Sequence, residues 1–554
     1  MGELMPYDWY KDVVFYEVFV RTFLDSNGDG IGDLAGLTSK LDYLKELGID
    51  VVWMLPIFPS PLRDDGYDVS DNRNIHPDYG TLEDFRHLVD EAHRRGLRIM
   101  VELVPNHTSD RHPWFQASRD PEHPEHETYR DWYVWSDTDE RYQEARIIFI
   151  DYESSNWTFD EVRGQYYWHR FFHHQPDLNF DNVEVQREIM RILQYWIDQG
   201  VDALRIDAPP YLYEREGTNC ENLPETHAYL KRLRALVDAY APGTLLLSEA
   251  NQWPEDVRAY FGDGDEMHMN YHFPLMPRIF MALAQADRTS IEKILDRTPR
   301  LPEVCQWGTF LRNHDELTLE MVTDEERHFM WDFYAPEPRM RLNRGIRRRL
   351  APLLENDLDR IKCANSILLT FKGSPFLYYG DEIGMGDNIW LDDRDGVRTP
   401  MQWNDRPNAG FTGEDVPLDE LDAPLIEGQT YGHETVNVDA QDKDPASLLN
   451  WTREALRVRR HHVVFGRGEV TLLHPDNMAI LAYLRSYASE VALVINNLSP
   501  DQQEVTLDLS HYAGRTLVDL FSEEVLETAA ASDWTLSMPG FGYRWFLLSD
   551  EDAE

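Results

Sequence analysis

The strongest constraint on the fold is a set of short apolar runs with no polar face. They are "VVFYEVFV" at 13–20, "DVVWMLP" at 50–56, "LRIMVELV" at 97–104, "VDALRID" at 201–207 and "TLLLSEA" at 244–250. Such runs are too short for ordinary helices and lack the alternation of a half-exposed strand, so they read as strands covered on both faces. Between them lie amphipathic stretches such as "LTSKLDYLKELG" (37–48) and "LEDFRHLVDEAHRRG" (82–96), each stopped by Gly. Weaker strand signals follow at 267–271, 305–311 and 374–379. Strands alternating with helices in this way predict an α/β fold, a (β/α)8 TIM barrel. A doubly wound open sheet is the alternative that the pattern alone leaves.

The rhythm breaks in two places. Residues 106–180, after the third run, hold no βα repeat and are rich in aromatics, His and acids, as in "HHQPDLNFDN". A structureless loop of that length is improbable in a compact domain, so an inserted subdomain is expected there. This divides the catalytic barrel into a first part at 1–105 and a second part with lid loops at 181–464. Trp132, Trp135, Trp157 and Trp168 are expected to form the insert's own core. From 465 to 554 short alternating runs, among them "MAILAYLRSY" and "EVALVINNL", read as a separate antiparallel β-sandwich domain. The last residues, "SDEDAE", read as a solvated acidic tail.

Charge limits the partners. The 554 residues carry 53 Lys and Arg against 100 Asp and Glu, a net charge of −47. Such a surface repels phosphate backbones and anionic lipid, which argues against nucleic acid and membrane partners. The basic run "RGIRRRLAPLL" (344–354) is therefore read as a paired helix face or a subunit contact. Cys220, Cys305 and Cys363 form neither a disulfide framework nor a CxxC pair. The N-terminus lacks a basic stretch followed by an apolar one, and no run approaches the length of a membrane span. A cytoplasmic location is expected.

In a barrel the C-terminal strand ends face the active site. Here they carry Asn106 and His107, then Arg205 and Asp207, then Glu249, and finally His314 and Asp315. A lone Asp after a strand is more often a helix cap; several carboxylates and imidazoles on one face are not. Two carboxylates at neighbouring strand ends suit glycosidic-bond chemistry, one attacking the anomeric carbon and the other exchanging a proton with the leaving oxygen. Arg205 shares a strand face with Asp207 and can hold it ionised.

Taken in order, "VPNHTS" (104–109), "ALRIDA" (203–208), "LLSEAN" (246–251) and "LRNHDE" (311–316) resemble the motif set of the α-amylase superfamily, glycoside hydrolase family 13. "DDGYDV" (64–69), "QPDLN" (175–179) and "VRTPMQW" (397–403) extend the resemblance from about residue 10 to 465. It implies Asp207 as nucleophile, Glu249 as acid/base and Asp315 as transition-state stabiliser. It further implies that His107 and His314 bind sugar hydroxyls, that Asp64 and Arg398 pair behind the nonreducing end, and that Tyr67 stacks on the sugar. Phe149 and Gln165 are candidates nearby, and Arg205 supports the nucleophile. The loop at 214–227, with "RNHDELTLEMVTDEER" (312–327) and "GDEIGMGDNIWLDDRDGVRTPMQW" (380–403), is similar to the branch of the family that isomerises maltose to trehalose by intramolecular glucosyl transfer. A hydrolase of the oligo-1,6-glucosidase kind shares most of these motifs and stays the alternative. A non-catalytic relative is disfavoured by the intact carboxylates.

Two cation sites are expected, and no organic cofactor. "DSNGDGIGD" (25–33) spaces Asp25, Asn27, Asp29 and Asp33 at alternate positions of a Gly-rich turn, oxygen ligands for Ca²⁺, or Mg²⁺. The family resemblance implies a second, Ca²⁺ site at Asn106, Asp177, the carbonyls of Tyr211 and Leu212, and Glu214. The expected partners are a disaccharide, maltose or trehalose, and other copies of the chain as a homo-oligomer.

Overall fold

The computed structural model describes residues 7–526 and 533–550; the acidic tail, from 551 on, lies outside them. All eight predicted strands form. They are β1 (Phe15–Val18), β2 (Val51–Met54), β3 (Arg98–Leu103), β4 (Ala203–Ile206), β5 (Leu245–Ser248), β6 (Met269–Tyr271), β7 (Gln306–Phe310) and β8 (Ser374–Tyr378). Each pairs in parallel with its chain neighbour. β8 closes the cylinder on β1 through Phe15↔Phe376. Closure removes both sheet edges, and helices cover the outside, so every strand residue but Arg98 is buried. This is why the runs showed no polar face.

The barrel interior is packed with rings. Phe15 stacks on Phe376 at 4.1 Å between centroids, and Trp53 lies 6.1 Å from Tyr271. The helix Leu82–Arg94 starts with a reciprocal cap between Thr81 and Asp84, as its sequence suggests. The stretch 37–48 forms two helices, Leu34–Ser39 and Leu41–Leu47, broken at Lys40, whose ammonium sits 3.9 Å over the Trp403 ring.

Between β3 and β4 the chain builds a three-stranded antiparallel sheet from Trp135–Ser136, Trp157–Asp160 and Gln165–Trp168. Trp132, Trp157 and Trp168 are buried there. Trp157 and Trp168 cluster with Tyr142 and with Cys220 from the 214–227 loop, whereas Trp132 joins the barrel core. That loop is therefore fastened to the insert and not free over the barrel. Short bridges, His107↔Asp177 and Tyr133↔Leu178, tie the insert back to the end of β3.

The C-terminal domain pairs a six-stranded antiparallel sheet with a two-stranded one made of Gln503–Leu507 and Trp534–Met538. Ile480, Leu493, Val505, Met538 and Phe546 fill the space between them. The other face of the large sheet rests on the barrel helix Leu358–Thr370, where Ser366 bonds Asn496 at 2.7 Å and Trp545 at 2.7 Å. No helix among the described residues is long and apolar enough to cross a membrane.

Candidate active site

Residues two apart on a strand share a face. β4 therefore sends Arg205 and Asp207 to the same side, where the fully buried guanidinium meets three carboxylates. It bonds Asp207, lies 3.1 Å from Glu102 on β3 and 2.7 Å from Glu249 beyond β5. The neighbouring strands set this register: the Asp207 N–H donates to Leu103 and the Glu249 N–H to Ile206. One cation thus joins the proposed nucleophile and the proposed acid/base, with the rings of Trp53 and Tyr67 beside it.

The carboxyls are driven apart in acidity. Burial raises Glu249 well above the ordinary carboxyl range; Arg205 opposes this, and the charges of Asp207 and Asp315 add to it. Glu102 is pushed up to about 8 by burial, against Arg205. Burial also acts on Asp315, but the contact from His314 Nε2 at 3.2 Å and the guanidinium charges of Arg394, Arg398 and Arg205 hold it below its usual value. Burial lowers His107 to about 4 and His314 well below 6.5, so both imidazoles are neutral at pH 7 and can bond sugar hydroxyls. His314 is placed by Glu17 on one nitrogen and by Tyr67 (3.0 Å) and Asp315 (3.2 Å) on the other. A carboxyl kept protonated next to a carboxylate held by a cation is the division of labour that acid/base chemistry needs.

Asp64, Tyr67, His107, Phe149, Asp207, Glu249 and Asp315 line one pocket. Two expectations are corrected. The partner of Asp64 is Arg394, not Arg398: Arg394 bonds Asp64 at 2.6 Å and Asp315 at 2.8 Å. The 3-10 turn Asp395–Val397 swings Arg398 inward, where it bonds the His314 carbonyl at 2.9 Å, Asp315 at 3.1 Å and Asp65. Gln165 is not in the pocket. It lies on the insert's hairpin, bonded to Asp137 and Arg163. The buried glutamine that reaches the site is Gln175, 2.8 Å from Asp64, and it stands in the "QPDLN" motif.

Other lining residues were missed in the sequence, among them Arg146, Phe171, Asn251, Glu320 and Asn343. Arg146 comes from the insert and lines the pocket. It lies 2.9 Å from Glu221 of the 214–227 loop and 2.9 Å from Glu320 of the loop after β7. Glu221 is itself held by Arg170 at 2.9 Å and Gln252 at 3.1 Å. Glu221 and Glu320 sit in stretches marked by the motif resemblance, but Arg146 had no local signal.

The side-chain oxygens Asn106 Oδ1, Asp177 Oδ2 and Glu214 Oε1 are buried with no hydrogen-bond partner among the described residues. Glu214 is raised well above the carboxyl range, first by burial and then by the charge of Asp177. Tyr211 and Leu212, also buried, stand at the end of the 3-10 turn Pro209–Tyr211, two or three residues before Glu214 in the chain. In the 25–33 loop the arrangement differs. Asp25 accepts from the N–H groups of Asn27, Gly28 and Gly30, Asn27 from Asp29, Asp29 from Ile31, and Asp33 caps Leu34–Ser39. Among the described residues no three His, Cys, Asp or Glu side chains converge on a metal-sized point.

Residues 17–332 and 345–468 match the alpha amylase catalytic domain, and 470–545 the maltogenic amylase C-terminal domain. The trehalose synthase of Pimelobacter sp. (strain R48) is 54% identical over 99% of this chain and 97% of its own length. The trehalose synthase/amylase of Mycolicibacterium smegmatis is 55% identical over 99% of this chain and 94% of its own. Among solved structures, the trehalulose synthase of Pseudomonas mesoacidophila MX-45 superposes with a TM-score of 0.77 at 28% identity, covering 98% of this chain and 99% of that one.

Proposed function

The chain belongs to the α-amylase family, and from that premise we propose that it interconverts maltose and trehalose by retaining transfer of a glucosyl group within one enclosed pocket. Asp207 attacks C1 of the nonreducing glucose while Glu249 gives its proton to the glycosidic oxygen, and the second glucose departs. It turns in place. Glu249 then takes the proton of its anomeric hydroxyl, that oxygen attacks C1, and the bond to Asp207 breaks. Two inversions leave the α configuration unchanged. Asp315, held ionised by its Arg partners, faces the charge that develops on the sugar ring.

A hydrolase would use the same steps with water as acceptor. The observation that carries the isomerase reading is the Arg146 bridge, which joins the insert to Glu221 of the 214–227 loop and to Glu320 in the pocket wall. It encloses the freed glucose, which raises its effective concentration and keeps bulk water out. Incubation with maltose should give mainly trehalose. The Arg146→Met enzyme should still cleave maltose but release about tenfold more glucose relative to trehalose. Labelled glucose added to the wild type should barely enter trehalose. Glucose as the dominant wild-type product would replace this reading by the hydrolase one.

We also propose Ca²⁺ at Asn106, Asp177, Glu214 and the carbonyls of Tyr211 and Leu212. Three buried oxygens without partners are costly unless a cation takes them, and an all-oxygen set suits Ca²⁺. The ion would tie the insert and the 214–227 loop to the barrel. Chelation should then lower the melting temperature, since a ligand held only by the folded state stabilises it by about 2.7 kcal/mol at roughly 100 times its Kd. An unchanged melting curve in metal-stripped protein would refute the site. Asp25→Ala separates the 25–33 loop, for which Ca²⁺ or Mg²⁺ is kept as a proposal, from this one. The three cysteines are buried and unpaired, which suits a reducing compartment. The cytoplasm is the proposed location, and self-association is part of the proposal.

A further inference from the structure

The arginines of the basic run at 344–354 do not form the paired helix face expected of them: they precede the short helix Leu350–Leu353. Arg347, Arg348 and Arg349 all turn into the molecule, and the segment 387–396 receives bonds from each of them. Arg348 Nε lies 3.0 and 2.9 Å from the two oxygens of Asp387, and the Arg349 N–H donates to the same carboxylate at 2.7 Å. Arg347 donates to the carbonyls of Leu391 at 2.9 Å and Asp393 at 2.7 Å. The loop receiving these bonds is pinched at its neck. The Asn388 N–H bonds the Gly396 carbonyl at 2.9 Å, and a Cβ on Gly396 would stand 2.1 Å from the Asn388 carbonyl oxygen. Within the loop sits Arg394, the residue that holds Asp64 and Asp315.

The arginines themselves are anchored from a third side. They follow the hairpin Arg341–Leu342 with Gly345–Ile346, and Ile346 exchanges backbone bonds of 2.8 and 3.0 Å with Leu317, two residues after Asp315. Asn343 in the hairpin's turn bonds Asp151 of the insert at 2.6 Å and Glu316 at 3.3 Å. Most of this hairpin lies in 333–344, the stretch that the family's catalytic domain does not match. The short stretch 341–349, which begins in the unmatched residues and runs into the matched ones, thus touches the insert, the loop after Asp315 and the loop of Arg394.

We propose that Arg347 is a positioning residue: it fills the 388–396 loop and thereby holds Arg394 on Asp64 and Asp315, setting how tightly the nonreducing end of the pocket closes. Arg347 touches neither carboxylate; it acts by fixing two carbonyls, of Leu391 and Asp393, in the turn that leads into Arg394. Its Nη1 serves both carbonyls while its Nε donates to the Arg339 carbonyl at 2.7 Å, a planar fork that the single nitrogen of a lysine does not reproduce. The proposal rests on the glucosyl-transfer reading above.

The test is Arg347→Met, which keeps the stem and removes the donors. Its KM for an aryl α-glucoside should rise by about fivefold or more, and its glucose-to-trehalose ratio from maltose should rise similarly. Neither quantity depends on how much of the variant is folded. If Arg347 works through Arg394, then Arg347→Met combined with Arg394→Met should be no worse than Arg394→Met alone. Wild-type KM and product ratio in Arg347→Met, or losses that multiply in the double variant, would overturn the proposal. A wild type that makes glucose and no trehalose would instead sink the isomerase reading, while the aryl glucoside KM and the double variant would still decide the role of Arg347.

Discussion

Asp207→Asn, Glu249→Gln and Asp315→Asn should each lower the turnover of maltose by roughly 10³-fold or more, a barrier increase of about 4 kcal/mol, with the melting temperature kept near that of the wild type. The three losses have different causes. The amide introduced by Asp207→Asn would retain the bond from Arg205 but supply no carboxylate to form the glucosyl ester. The amide introduced by Glu249→Gln could not give a proton to the leaving oxygen, so the first half-reaction would stall. An aryl glucoside with an acidic phenol needs less of that proton, so it should recover part of the Glu249→Gln loss and little of the Asp207→Asn loss. Asp315→Asn would leave the developing positive charge uncompensated while Arg394 and Arg398, the wild-type partners of that carboxylate, stayed beside it. Activity within about tenfold of wild type in any of the three would remove that residue from its role.

Arg205→Met should be nearly as damaging, and for a different reason. The wild-type guanidinium faces Glu102, Asp207 and Glu249. Removing one partner of a buried ion cluster costs roughly 3–5 kcal/mol, because charges stay buried without compensation. The protein relieves this by keeping protons. Arg205 lowers the pKa of both Glu249 and Glu102, so its loss moves both upward. Glu249 must be protonated in the first half-reaction, and activity falls as pH rises through its pKa. The alkaline limb of the pH–rate profile should therefore move to higher pH in Arg205→Met, while turnover at pH 7 falls by about 10²-fold or more. The unfolding midpoint in denaturant should fall as well. An alkaline limb that stays in place would mean that Arg205 does not set the acidity of Glu249.

The contrast between these residues and the corrected ones separates what can be read locally from what cannot. Side-chain period on a strand is local: it put Arg205 and Asp207 on one face before any contact was known. Barrel topology then carries residues at the C-terminal ends of successive strands to one mouth, so Asp207, Glu249 and Asp315 were legible as a group from motif spacing. Burial on both faces of β1 to β5 was legible for the same reason, since a closed parallel sheet leaves no face for polar residues, whereas β6 to β8 gave only weaker strand signals.

Which charged side chain meets which across loops is not local. Arg394 and Arg398 stand four residues apart in one motif, and either could reach Asp64 by composition and spacing. The 3-10 turn Asp395–Val397 and the bonds that Arg347 makes to the loop select Arg394. Gln165 and Gln175 are equally plausible by type, but the insert's hairpin turns the first towards Asp137 and the return to the barrel brings the second to Asp64. Arg146 meets Glu320 across 174 residues of chain, and nothing in its own neighbourhood marks it. The barrel, the insert, the C-terminal domain and the meeting of Asp207, Glu249 and Asp315 in one pocket were legible in the chain, because periodicity and strand-end position are set by near neighbours. Closure of the pocket emerges only in the folded molecule, because an ion pair between loops depends on where the whole chain places both ends.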